Sequence, residues 1–77
     1  MDKSRYNRIK SVLAEKSVTN KELAQKVGKT EHAVSRWSTN DQQPSLPMLY
    51  KIANALHVDV RELLVPNDLS SLPEKRS

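Results

Sequence analysis

Apolar residues recur along this chain at helical spacing, with little of the strict alternation that marks a strand. Tyr6, Ile9, Val12 and Leu13 fall on one face and predict a first helix from about Ser4 to Lys16. In "VTNKEL", residues 18–23, Thr19 and Glu22 form a Thr-x-x-Glu capping box, and Val18 and Leu23 stand where a hydrophobic staple would close around it. The second helix then runs to Val27, with Leu23, Ala24 and Val27 inward. Gly28, the single glycine, follows where a left-handed C-terminal residue costs least.

Only Lys29 separates Gly28 from the next cap, Thr30, so the third helix, about Glu31 to Ser38, starts after a turn of about three residues. "STNDQQP" reads as loop, because Asn40 tolerates a left-handed backbone and Pro44 resists helix. Ser45 caps a fourth helix with Pro47 in its first turn, and Leu46, Leu49, Ile52, Ala53 and Leu56 keep its period. Val58, Asp59, Glu62 and Leu63 repeat the staple and box, predicting a short fifth helix from about Val60 to Leu64. From Pro66 onward the periodicity stops. Residues 1–65 are therefore expected to form one all-α domain and residues 66–77 a flexible tail.

Two short helices on so tight a turn must cross steeply. Ala24 is small enough for close approach, and Val34 and Trp37 can pack back onto the second helix. This specifies a helix-turn-helix over about residues 19–38, whose second helix is shaped for a major groove. At about 100° per residue, Glu31, Ser35, Thr39, His32 and Arg36 share one arc, and Ala33, Trp37 and Val34 the other. Any surface helix is amphipathic. Here the cap, the glycine and the short turn before it add to the signal.

Charge supports the same direction. The net charge is +4 over 77 residues. Residues 1–36 hold nine Lys/Arg against four Asp/Glu, and residues 37–77 four against five, so the positive field is one-sided. There is no cysteine, hence no disulfide and no thiolate metal site. His32 and His57 have no cysteine partner, no carboxylate pair has catalytic spacing, and no phosphate-binding glycine loop is present. Neither catalysis nor a cofactor or metal is expected. No apolar run approaches the roughly 20 residues of a membrane span, and no signal peptide is read, so the expected setting is the cytoplasm.

The stretches "TNKELAQKVGKTEHAVSRW" and "PSLPMLYKIANALHVDVRELL" resemble the phage-repressor and Cro-like helix-turn-helix regulators, the XRE family, over about residues 6–65. The family's small first-helix residue falls on Ala24, its turn glycine on Gly28, and its two apolar recognition-helix positions on Val34 and Trp37. Three positions depart from it. Ser38 stands where an acid is frequent and Asn40 near a frequent glycine, and Asn20 replaces a frequent glutamine that bonds phosphate. The resemblance implies a compact five-helix, lambda-repressor-like domain. It also implies sequence-specific binding of a double-stranded DNA operator as a homodimer, with an antitoxin-like or controller-like protein partner as the rival role.

The candidate base contacts are Glu31, His32, Ser35 and Arg36. Guanidinium can grip guanine O6 and N7, and a carboxylate can accept from cytosine N4. Glu31 also suits the first turn of a helix through the dipole alone. It could further reject wrong sequences by repulsion. Candidate phosphate contacts are Thr19, Asn20 and Lys21 at the start of the second helix, Lys29 and Thr30 at the turn, and Thr39, Asn40 and Gln42 beyond the third helix. Lys51 reads as solvated charge. Leu64 and Val65, with Leu69 or Leu72, are the candidate dimer contacts.

Overall fold

A computed structural model describes residues 5–67. It contains four α-helices, α1 (Ile9–Lys16), α2 (Asn20–Val27), α3 (Glu31–Ser38) and α4 (Leu46–Leu56), followed by a single 3-10 turn at Val60–Leu63. No strand is present among the described residues, only an isolated antiparallel bridge between Asn7 and Leu64. Ser4, Leu69, Leu72 and nearly all of the expected tail lie outside the described residues.

The helix boundaries follow local chemistry. The Thr19 hydroxyl accepts from the Glu22 amide at 3.0 Å while the Glu22 carboxylate accepts from the Thr19 amide at 2.9 Å, closing the capping box. Thr30 caps α3 through the Ala33 amide and Ser45 caps α4 through the Met48 amide. Gly28 takes the left-handed conformation at φ 73°, and its amide returns to the Ala24 carbonyl. Three residues, Gly28 to Thr30, join α2 to α3.

One core unites the elements. Ile9, Val12 and Leu13 of α1 meet Leu23, Ala24 and Val27 of α2, Val34 and Trp37 of α3, and Leu49, Ile52, Ala53 and Leu56 of α4, with Leu63 closing the end. Val18 and Val58, the residues ahead of the caps at Thr19 and Asp59, pack half-buried against it. α3 lies chiefly on α2, and α4 supports both α2 and the 3-10 turn. α3 is therefore held on its inner side, and its outer side faces solvent.

Three expectations are corrected. The first helix begins at Ile9, and Tyr6 is 61% exposed instead of core. The chain from Tyr6 to Arg8 is not helical because its amides are used elsewhere: Tyr6 and Asn7 donate to the Asn40 side chain, and Arg8 donates to the Leu63 carbonyl. Leu46 opens α4 and is 62% exposed, since a first-turn residue has no neighbour beneath it. The fifth element is one 3-10 turn that ends at Leu63. Asp59 caps it by accepting from the Arg61 amide, while the Glu62 amide donates to the Asp59 backbone carbonyl, so no reciprocal box forms.

Candidate nucleic-acid interface

The solvent face of α3 carries Glu31, His32 and Arg36, all exposed, with Ser35 half-buried between them. None of these four side chains makes a hydrogen bond or ion pair within the described residues. Glu31 and Arg36 do not neutralise each other. On the reverse side Val34 and Trp37 are buried and Ala33 is half-buried. The split follows from the helical period, and the Thr30 cap and Gly28 turn set which arc is outward.

The predicted phosphate-contact residues divide by what their side chains already do. Lys21 and Lys29 are exposed cations, and Gln42 is exposed. Thr19 and Thr30 use their hydroxyl oxygens as acceptors for helix caps, which leaves each hydroxyl proton to donate outward. Asn20 accepts at its carboxamide oxygen from the Ser38 hydroxyl at 3.1 Å, which fixes the carboxamide and leaves its NH2 without a partner among the described residues. The Thr39 hydroxyl lies 2.9 Å from an Asp41 carboxylate oxygen and 3.1 Å from the Ser35 carbonyl, so its single proton already serves its own chain.

Asn40 is the correction within this set. It sits in the left-handed region at φ 63°, as expected, but its side chain turns inward and only 8% of the residue is exposed. The carboxamide oxygen accepts from the amides of Tyr6 and Asn7 and from Gln43 Nε2, and its NH2 donates to the Asn7 carbonyl. With its oxygen filled, one of its two N–H groups committed to Asn7 and the side chain buried, Asn40 is turned away from the surface where a phosphate would lie. Asn40 instead ties the exit of α3 to the start of the chain.

Three residues with structural bearing on this face carried no recognised signal. Asn7, 3% exposed, donates to the Trp37 carbonyl at 3.0 Å and to Gln43 Oε1 at 2.7 Å, and accepts from the Ile9 amide. Gln43 completes the network. The acceptor role toward Ile9 was legible, because Asn just ahead of an apolar run favours a cap over a helix interior. Ser38 is buried, and its one hydroxyl proton is shared between the Val34 carbonyl and Asn20 across the motif. Nothing local signals that link.

Among the described residues no group of His, Asp and Glu is placed to hold a metal ion, and no helix is long and apolar enough to cross a membrane. The described chain offers polar side chains on a convex helix and amide hydrogens at helix starts, groups suited to hydrogen bonding a polyanion and its base edges.

Comparison with known proteins agrees with this geometry. Residues 8–68 match the family of Cro/C1-type HTH DNA-binding domains. No curated protein sequence matches the chain. The fold is similar to the crystal structure of a presumptive DNA-binding protein from Bacteroides fragilis, at 56% identity and TM-score 0.76, covering 77% of this chain and 95% of that one. It is also similar to the clp gene regulator ClgR from C. glutamicum, at 25% identity and TM-score 0.68, covering 71% of each chain. The match over most of the chain, on a fold whose α2 and α3 make the motif, shows that this protein belongs to the Cro/C1-type helix-turn-helix DNA-binding family.

Proposed function

We propose that this protein is a sequence-specific transcriptional regulator that lays α3 in the major groove of double-stranded DNA, as a homodimer on a two-fold operator. The observation that carries the reading is the outer face of α3: Glu31, His32, Ser35 and Arg36 stand together with no partner among the described residues, above a reverse face that is fully committed to the core. Arg36 holds a guanine edge, Glu31 accepts from a cytosine amino group, and His32 and Ser35 bond to neighbouring bases. Thr19, Asn20, Lys21, Lys29, Thr30 and Gln42 bind phosphates on either side, with Thr39 contributing least.

One copy reads only a few base pairs, and two copies on a two-fold axis place half-sites about one helical turn apart. Leu64 and Val65, 38% and 39% exposed, support such an interface, and Tyr6 lies beside them through the Val65 amide bond to its carbonyl. Residues 1–65 would act as the DNA-binding domain.

The test is selection from a random duplex pool at two salt concentrations. Recovery of a two-fold symmetric site with strong salt dependence is the expected result. Weak, sequence-blind binding together with one stoichiometric co-purifying protein would instead favour an antitoxin-like interaction module.

A further inference from the structure

The cations proposed so far to face the duplex all lie within the helix-turn-helix, yet α1 brings one more to its edge. Two open grooves, of about 370 and 690 Å³, flank the exit of α3. Lys10, Ala14 and Ser38 line both. The smaller also takes in Asn20 and Thr39, and the larger Arg5 and Asn40. Lys10 therefore stands between the start of α2 and the end of α3, although it is ten residues before Asn20 in sequence. Ala14, one turn along α1, is too small to fill the space beside it.

We propose that Lys10 is a phosphate-contacting residue of the DNA interface, seating a backbone phosphate in the smaller groove; this rests on the regulator reading above. Three features of the site suit a phosphate oxygen. Lys10 is exposed and makes no ion pair or hydrogen bond among the described residues. The neighbouring basic residue of α1's entry is different: Arg8 is already held by the Glu62 carbonyl at 3.0 Å and by Glu15 at 3.8 Å. Asn20 is oriented by the bond from Ser38 to its oxygen, and its NH2 remains to donate to this groove. The amides of Asn20 and Lys21, in the first turn of α2, have no partner among the described residues, and the helix start favours an anion there.

A phosphate held here touches α1, α2 and the end of α3 at once. Such a contact sets the depth and tilt of α3 in the groove while carrying no base information of its own. Arg5 lines the larger groove together with Lys10 and adds to the positive charge there.

The experiment measures binding of a selected duplex by fluorescence anisotropy from 50 to 200 mM salt, for the full chain and for Lys10→Gln, Lys10→Arg, Lys21→Gln and Lys51→Gln. For Lys10→Gln the log–log salt slope should flatten by about one unit, and the weakening between 50 and 200 mM salt should shrink by about three-fold. The preferred base sequence should stay the same. Lys10→Arg should keep the parent slope, and Lys51→Gln, on the exposed side of α4, should also leave it unchanged. A parent-like slope for Lys10→Gln alongside a flattened slope for Lys21→Gln overturns the proposal and leaves the regulator reading standing. Absence of salt-dependent duplex binding by the parent chain overturns both.

Discussion

The carboxamide oxygen of Asn40 accepts the backbone amides of Tyr6 and Asn7, at 2.9 and 3.1 Å. One side chain thereby binds the segment before α1 to the loop after α3, across 33 and 34 residues of sequence. Asn7 returns the link by donating to the Trp37 carbonyl. The end of the outward-facing helix is thus fastened from outside the motif, by groups buried from water, where a lost partner is costly.

Substitution at Asn40 should separate the two parts of its role. Asn40→Ala strands buried amides and forces a Cβ residue without local hydrogen bonding into the left-handed region, at a cost of about 2–4 kcal/mol. Asn40→Gly keeps the backbone conformation and loses only the side-chain bonds, about 1–3 kcal/mol. Urea denaturation followed by the fluorescence of Trp37, which lies next to the network, should rank them parent, Gly, Ala. An alanine variant as stable as the glycine variant would show that the φ of 63° matters little.

Gly28 offers a cleaner test of backbone conformation. A Cβ built at Gly28 meets nothing within 4 Å, so no clash adds to the conformational cost of φ 73°. Gly28→Ala should lower stability by about 1–2 kcal/mol, with less loss for Gly28→Asn, which tolerates the left-handed region. Thermal melts would check the order. The melting temperature should fall without a change in DNA sequence preference, because Thr30 still caps α3.

Charges on α3 should act on specificity. Arg36→Ala is expected to weaken binding to the selected site by about 1–3 kcal/mol and to relax preference at one guanine. Glu31→Gln should broaden preference at one base position while affinity for non-specific duplex rises. Raised affinity with an unaltered preference profile would reduce Glu31 to a helix-dipole residue. Repeating the duplex selection with each variant distinguishes these outcomes.

Acid should loosen the last turn. The hydrogen bonds from the Arg61 side chain and amide hold Asp59 below the usual carboxylate range. Its folded value is depressed, so the unfolded chain binds the extra proton as pH falls through the carboxylate range near about 4. The contribution is present at neutral pH and is lost on acidification through the folded value. Asp59→Asn should therefore melt at a lower temperature at pH 6 and show a smaller further drop from pH 5 to pH 3 than the parent. Parallel melts at these pH values provide the check.

Local interactions account for what was legible in the chain alone. Thr19 with Glu22, Thr30 with Ala33 and Ser45 with Met48 act across three residues, and Gly28 closes on Ala24. Such pairs depend on neighbours in sequence, so α2, α3, α4 and the outward arc of α3 follow from residue order and helical period. The position of Lys10, the buried Asn7–Asn40 pair, the exposure of Tyr6 and the Ser38 bond to Asn20 were decided otherwise. Each joins groups many residues apart, and a polar side chain looks the same in sequence whether it faces water or a buried amide. Only the packing of α1 against the end of α3 decides which of these it meets, because burial makes an unpartnered amide costly and so selects the inward Asn40.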